Sequence, residues 1–361
     1  MNRCAIAVLI LHLGCSDGAP ELPLAESSAN RDDWSHVSWE RLDTLAVLGT
    51  GPEWEESPLY RVSDAVLDNG RNTVFLANGG NSELIRYDIG SRDIRRIGRQ
   101  GRGPGEFGRP LWMEPHGPDS LLVYDRDFTQ FSVFSRSGDF GRTFTVRGIG
   151  LRGRQPAVLT RMDTRIWVGL SSGLPQLLMI PETPSGTKAR DTLTVLTITN
   201  EGAIVDTVAR VPHALWERLP DPTSFNIRRD EDAGEATVAG GGGRLFIATF
   251  GDSLEVTEHP LGRGLDGSSL VPVAVGGPRH GVSQFFASRE GTLWIVEGDS
   301  TGDSTVFHAY RPGSPEWARS GTLTLPGNVR ILDASQDRIV FLHLDSLGIE
   351  TVIVARARVS R

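Results

Sequence analysis

Residues 73–95 read TVFLANGGNSELIRYDIGSRDIR, and residues 120–142 read SLLVYDRDFTQFSVFSRSGDFGR. The two segments align without a gap. Each opens on an apolar burst, crosses a polar turn and enters a second strand that closes on an aromatic, Tyr87 or Phe134. A further turn and a third strand follow. Short bursts of this kind, cut by Asn, Asp, Gly and Ser, are the pattern of strands joined by tight turns. Between the two segments lies GRQGRGPGEFGRP, residues 98–110, with five glycines and two prolines. Glycine loses too much chain entropy and proline lacks an amide donor, so this run is neither helix nor central strand. It is a turn-rich connector with one core-type side chain, Phe107.

Working outward, the first burst of the unit recurs at Val74, Leu121, Ile166, Leu245, Leu293 and Ile339, at intervals of 47, 45, 79, 48 and 46 residues. Four nearly equal intervals and no long helical periodicity define six units of about four short strands, the period of a propeller blade. The fold class is therefore all-β, a six-bladed β-propeller of four-stranded antiparallel blades. The long interval is assigned to two insertions, residues 173–190 and 212–235. The last unit shows strands near 329–332, 339–344 and 351–356 and lacks a fourth. LDTLAVLG, residues 42–49, resembles the blade-ending VDTVARV of residues 205–211. An N-terminal strand that completes the last blade would pair both open edges, and unpaired edges promote aggregation.

The chain has 361 residues, a formal charge of −8, 23% charged residues and 39% hydrophobic ones. Its cations are arginines except for Lys188. A net acidic chain argues against nucleic-acid binding, which requires phosphate neutralisation. At the N-terminus Arg3 precedes an apolar run too short to span a bilayer, as in a signal peptide. LHLGC, ending at Cys15, resembles a bacterial lipobox, with His12 where leucine is usual. Cys4 and Cys15 are the two cysteines of the chain. Cleavage before Cys15 leaves one cysteine and no intrachain disulfide. The expected organisation is a lipoprotein signal peptide at 1–14, a lipidated Cys15 with a polar tether to residue 33, and the propeller over 34–361. The tether would reach roughly 25 Å as a random coil. The expected location is the cell envelope, with the membrane contacted through the lipid alone.

NGGNSELIRYD, residues 78–88, and the glycine-rich connector resemble the bacterial six-bladed β-propellers of the NHL-repeat and TolB-like group. That group includes lyases, lactonase-like enzymes, binding modules and lipoproteins, so the resemblance implies a fold rather than an activity. Lactonase-like members hold calcium at the channel mouth with acidic and amide side chains. The inner-strand carboxylates that could serve here are Asp64, Glu114 and Asp333. A recurrent polar position four residues after the anchor (Asn78, Asp125, Thr249, Glu297, His343) fits a turn-forming scaffold role. No HExxH or HxH pattern occurs, and the glycine run 240–243 precedes a strand, not a helix.

No catalytic residue or cofactor is assigned. The expected function is a non-enzymatic binding module for an envelope protein, peptide or glycan, working as a monomer. The alternative is a calcium-dependent lactonase- or lyase-like enzyme at the channel mouth. Because regular blades are scaffold, recognition is expected where the repeat is interrupted. The largest interruption, residues 212–235, carries Trp216, Phe225, Arg228 and Arg229, residue types enriched at recognition hot spots. That segment is expected to lie across one mouth of the channel.

Overall fold

A computed structural model describes residues 37–147, 156–162, 165–172, 175–180, 182–220, 227–230, 236–250, 254–260, 269–271, 282–288, 291–298, 304–312, 317–335 and 337–359. The expected signal peptide, Cys15 and tether lie outside the described residues, as does Phe225. The chain opens with β1 (Val37–Leu48) and then lays down six sheets around a common axis. Blade 1 is β2 (Val62–Asp68), β3 (Thr73–Asn78), β4 (Glu83–Asp88) and β5 (Ile94–Ile97). Blade 2 is β6 (Pro110–Pro115), β7 (Ser120–Asp125), β8 (Gln130–Ser135) and β9 (Phe140–Thr145). Blade 3 is β10 (Pro156–Met162), β11 (Arg165–Ser171), β12 (Lys188–Thr199), β13 (Ile204–Arg218) and β14 (Ile227–Asp230). Blade 4 is β15 (Ala236–Gly241), β16 (Arg244–Phe250), β17 (Leu254–Pro260) and β18 (Ser269–Val271). Blade 5 is β19 (Val282–Ala287), β20 (Leu293–Gly298), β21 (Ser304–Pro312) and β22 (Trp317–Pro326). Blade 6 is β23 (Asn328–Ser335), β24 (Arg338–Leu344) and β25 (Glu350–Val359), with β1 hydrogen-bonded to β25 as its outer strand. The protein is a six-bladed β-propeller closed by its N-terminal strand.

All six anchors fall on the second strand of their blade, and each is fully buried at 0% exposure. These strands are apolar on both faces because each sheet is sandwiched between two neighbours. In β3, Val74 and Leu76 pack toward blade 6, while Phe75 and Ala77 pack toward blade 2. The core is accordingly a ring of wedges. Six hydrophobic clusters among the described residues occupy the six blade-to-blade interfaces. Each fully buried aliphatic or aromatic side chain contributes about 1.5–3 kcal/mol of transfer free energy. The ring closes only if every interface is filled.

The connector at 98–110 links β5, at the outside of blade 1, to β6, at the inside of blade 2. Phe107 is fully buried beside Phe134, with ring centroids 5.3 Å apart. Gly98 sits at φ +79°, and a Cβ there would come within 2.5 Å of the Phe107 ring, so only glycine lets the chain turn this closely. The recurrent polar position is scaffold where its contacts are described. Asp125 accepts from the backbone amides of Gly108 (2.7 Å), Arg109 (3.2 Å), Asp127 (3.0 Å) and Phe128 (3.2 Å). Asn78 accepts from the Tyr60 amide and donates to Glu83, each at 2.8 Å.

One expectation is corrected. Residues 212–218 and 227–230 belong to strands rather than to a loop. β13 runs on past the blade against the start of β12, and β14 adds a fifth strand to blade 3. The physical reason lies in the β12–β13 pairing, which absorbs three bulges and stays hydrogen-bonded over its whole length. Asp191, buried at one of these irregularities, accepts from Ser171 Oγ at 2.8 Å and lies 3.0 Å from His213 Nδ1. It ties the extension to the blade.

Candidate functional site

A cavity of about 240 Å³ occupies the centre of the ring, walled by the inner strands β2, β6, β15, β19 and β23. Its side chains are of three kinds. Trp112, Phe285 and Phe286 supply aromatic wall; Asp64, Glu114 and Asp333 supply carboxylates; Arg330 supplies a cation. The inner strands reach this arrangement through bulges. Register slips lie between Val62 and Asp64, between Pro110 and Trp112, and between Ile331 and Asp333, with two more in β10 and β19. A bulge leaves one residue unpaired and re-aims the next. Asp64, Trp112 and Asp333 each directly follow such a residue.

The three carboxylates anticipated from the sequence all line this one cavity, and two of them are committed to backbone. Asp64 accepts from the Ala65 amide at 2.9 Å and the Met113 amide at 2.7 Å, joining blade 1 to blade 2. Asp333 accepts from the Leu67 amide at 2.7 Å, joining blade 6 to blade 1. Burial pushes the Asp64 carboxyl well above the usual carboxylate range; the charges of Asp333 and Glu114 push it the same way, and its two amide donors oppose them. Among the described residues, no three His, Cys, Asp or Glu side chains come together as a metal-binding group. Two of the three carboxylates that could serve the calcium site the resemblance implies, Asp64 and Asp333, thus already accept from backbone amides.

Arg330 was not singled out from the sequence. Its guanidinium donates to the Val62 carbonyl across the blade 6–blade 1 seam. Burial lowers its pKa, and the charges of Asp64 and Glu350 act in the opposite sense. It remains a cation, as arginine does in proteins. No carboxylate among the described residues lies within ion-pair distance of it, and the side chain lines the cavity. Glu350 is occupied elsewhere, accepting from the Val62 amide at 2.8 Å. The one signal in the sequence was an arginine set between the apolar Val329 and Ile331 of the inner strand NVRILDAS.

Of the hot-spot candidates, Trp216 and Arg228 have described side chains, and both lie apart from this cavity. Trp216 is half-buried in β13 and pairs in register with Arg229 of β14. Arg228 is exposed and pairs with Glu217 at 3.1 Å. β14 is the strand of blade 3 farthest from the inner β10, and neither Trp216 nor Arg228 lines the cavity.

No protein-family model and no curated protein matches the chain. Solved structures do resemble it. The calcium-binding protein regucalcin from Agrobacterium tumefaciens is 11% identical, with a TM-score of 0.48 over 85% of this chain and 94% of that one. An exported protein from Bacteroides fragilis is also 11% identical, with a TM-score of 0.49 over 89% of this chain and 96% of that one. The PQQ-bound aldose sugar dehydrogenase of Streptomyces coelicolor is 15% identical, with a TM-score of 0.48 over 93% of this chain and the whole of that one.

Proposed function

We propose that the protein is an exported, lipid-tethered binding module of the NHL and TolB-like kind, and that its ligand enters the central cavity. The observation that carries this reading is Arg330. A cation with one protein hydrogen bond, walled by Trp112, Phe285 and Phe286, is equipped to take an acidic group with an apolar or sugar-ring neighbour. The volume limits the ligand. At about 240 Å³ the cavity lies below the roughly 300–1,000 Å³ of drug-sized pockets, so it suits a single terminal unit of a peptide or glycan. Against the enzyme alternative stands the use of Asp64 and Asp333 oxygens as acceptors for blade-to-blade amides, which leaves too few free carboxylate oxygens for a calcium cage.

The test is thermal shift and calorimetry with N-acetylalanine, glucuronate, glucose and calcium chloride as probes. An acidic probe should raise the melting temperature and neutral glucose should not. Arg330→Gln should weaken the acidic probe at least tenfold. Equal binding of the acids by wild type and Arg330→Gln would overturn the reading. Stabilisation by calcium that is lost in Asp64→Asn would establish the metal-dependent alternative instead.

A further inference from the structure

A second concavity, of about 500 Å³, lies away from the central cavity, at the seam between blades 1 and 2. Its wall carries four arginines, Arg71, Arg86, Arg95 and Arg136, with one carboxylate, Asp119, and two serines. Arg71 and Arg136 have strong partners. Arg71 pairs with Asp68 at 3.1 Å and Asp119 at 2.6 Å, and Arg136 with Asp68 at 3.1 Å. They are braces.

Arg86 and Arg95 differ. They are directly opposed across β4 and β5, in one row with Phe75 of β3. Side chains so placed have Cβ atoms about 4.5–5.5 Å apart, and like charges there repel. Their carboxylate neighbours hold them loosely. Arg86 lies 3.9 Å from Asp88, and Arg95 lies 3.6 Å from Asp139, a pair in which both side chains are more than half exposed. Asp139 is turned to other donors, since Ser135 and Ser137 both donate to it. Asp88 accepts from the amides of Gly90 and Ser91. Neither guanidinium makes a hydrogen bond among the described residues. Blade 2 closes on this pair through Gly138, at φ +93°, where a Cβ would strike Ile97 at 2.7 Å. The same position lies 3.6 Å from Arg95 Nε, so the turn borders the pair.

We infer that Arg86 and Arg95 form the floor of a second binding site, for a phosphate group held between two guanidiniums. Two planar forks lining one concavity match a multi-oxygen anion better than a single carboxylate. The chemistry is the same for free phosphate and for a phosphate carried on a sugar. The net charge of −8 and the flanking aspartates set the site against a nucleic-acid strand, which needs an extended basic track.

Calorimetry at 150 mM NaCl tests it with inorganic phosphate, glucose 6-phosphate and glucose. Saturable binding of phosphate, weakened at least tenfold in both Arg86→Gln and Arg95→Gln and unchanged in the blade 3 variant Arg210→Gln, is the expected result. Tighter binding of glucose 6-phosphate assigns a sugar-borne source, and equal or weaker binding assigns the free anion. A second measurement separates function from structure. In anion-free buffer, relief of the like-charge row should leave the melting temperature of either variant unchanged or raised. A fall, or phosphate binding equal in all three variants, or no saturation below 10 mM, would overturn the inference.

Discussion

Asp64 shows how one side chain serves both scaffold and site. Its oxygens hold amides on its own blade and the next, yet it borders the cavity and two further carboxylates. Its folded-state pKa stands above the unfolded value, so the native state binds the proton more tightly. By linkage, stability is then greatest below the unfolded pKa of about 3.9 and falls as pH rises through the folded pKa. Asp64→Asn removes the titration. The expected outcome is a lower overall stability, through a compromised amide contact, together with a shallower decline as pH rises above about 4. Urea midpoints measured across that rise check it, and an unchanged slope would refute the assignment of the slope to Asp64. Arg330 shows the complementary case, a cation whose meaning comes from its surroundings. In sequence it is one of many arginines.

At the scale of elements, the closing strand carries the most consequence per residue. β1 pairs with β25 from Val37↔Val359 to Leu48↔Val352, and it places the fully buried Leu48 in the blade 6–blade 1 wedge. A chain that starts at Gly51 lacks this strand and leaves β25 as an open edge. The expected result is a melting temperature lower by at least about 5 °C and a shift to soluble aggregates on size-exclusion chromatography. A monomeric truncation with unchanged melting would sink the closure argument. Period and turn chemistry made this element and the six anchors readable in the sequence, because every blade must bury its second strand on both sides. The β13–β14 hairpin was not readable. Prolines, charges and the lack of a repeat in residues 212–235 suggested a loop, and only pairing with the long β12 makes strands of them.

The whole molecule is a ring of six wedges. The blades are held at six apolar interfaces, and polar side chains gather where the inner strands meet and where two blades leave a seam. Among the described residues, no helix is long and apolar enough to cross a membrane. Attachment is proposed to rest on Cys15 instead, and stable anchoring needs more than one acyl chain. Cys15→Ala should move the protein from the membrane pellet to the soluble fraction of lysed cells with its melting temperature unchanged. Retention in the pellet would rule out the lipid anchor.

The sequence by itself determined the class, the blade count and the means of closure. These follow from local quantities, the period of apolar bursts and the turn residues between them, which each segment carries independently of the rest. Only the tertiary structure decided which side chains meet. Bulges in the inner strands break the two-residue alternation, so the residue that faces the cavity cannot be counted off along the chain. Asp64, Trp112 and Arg330 are far apart in sequence and become neighbours because the ring returns blade 6 to blade 1. Arg86 and Arg95 oppose one another because a turn sets the register of β4 on β5.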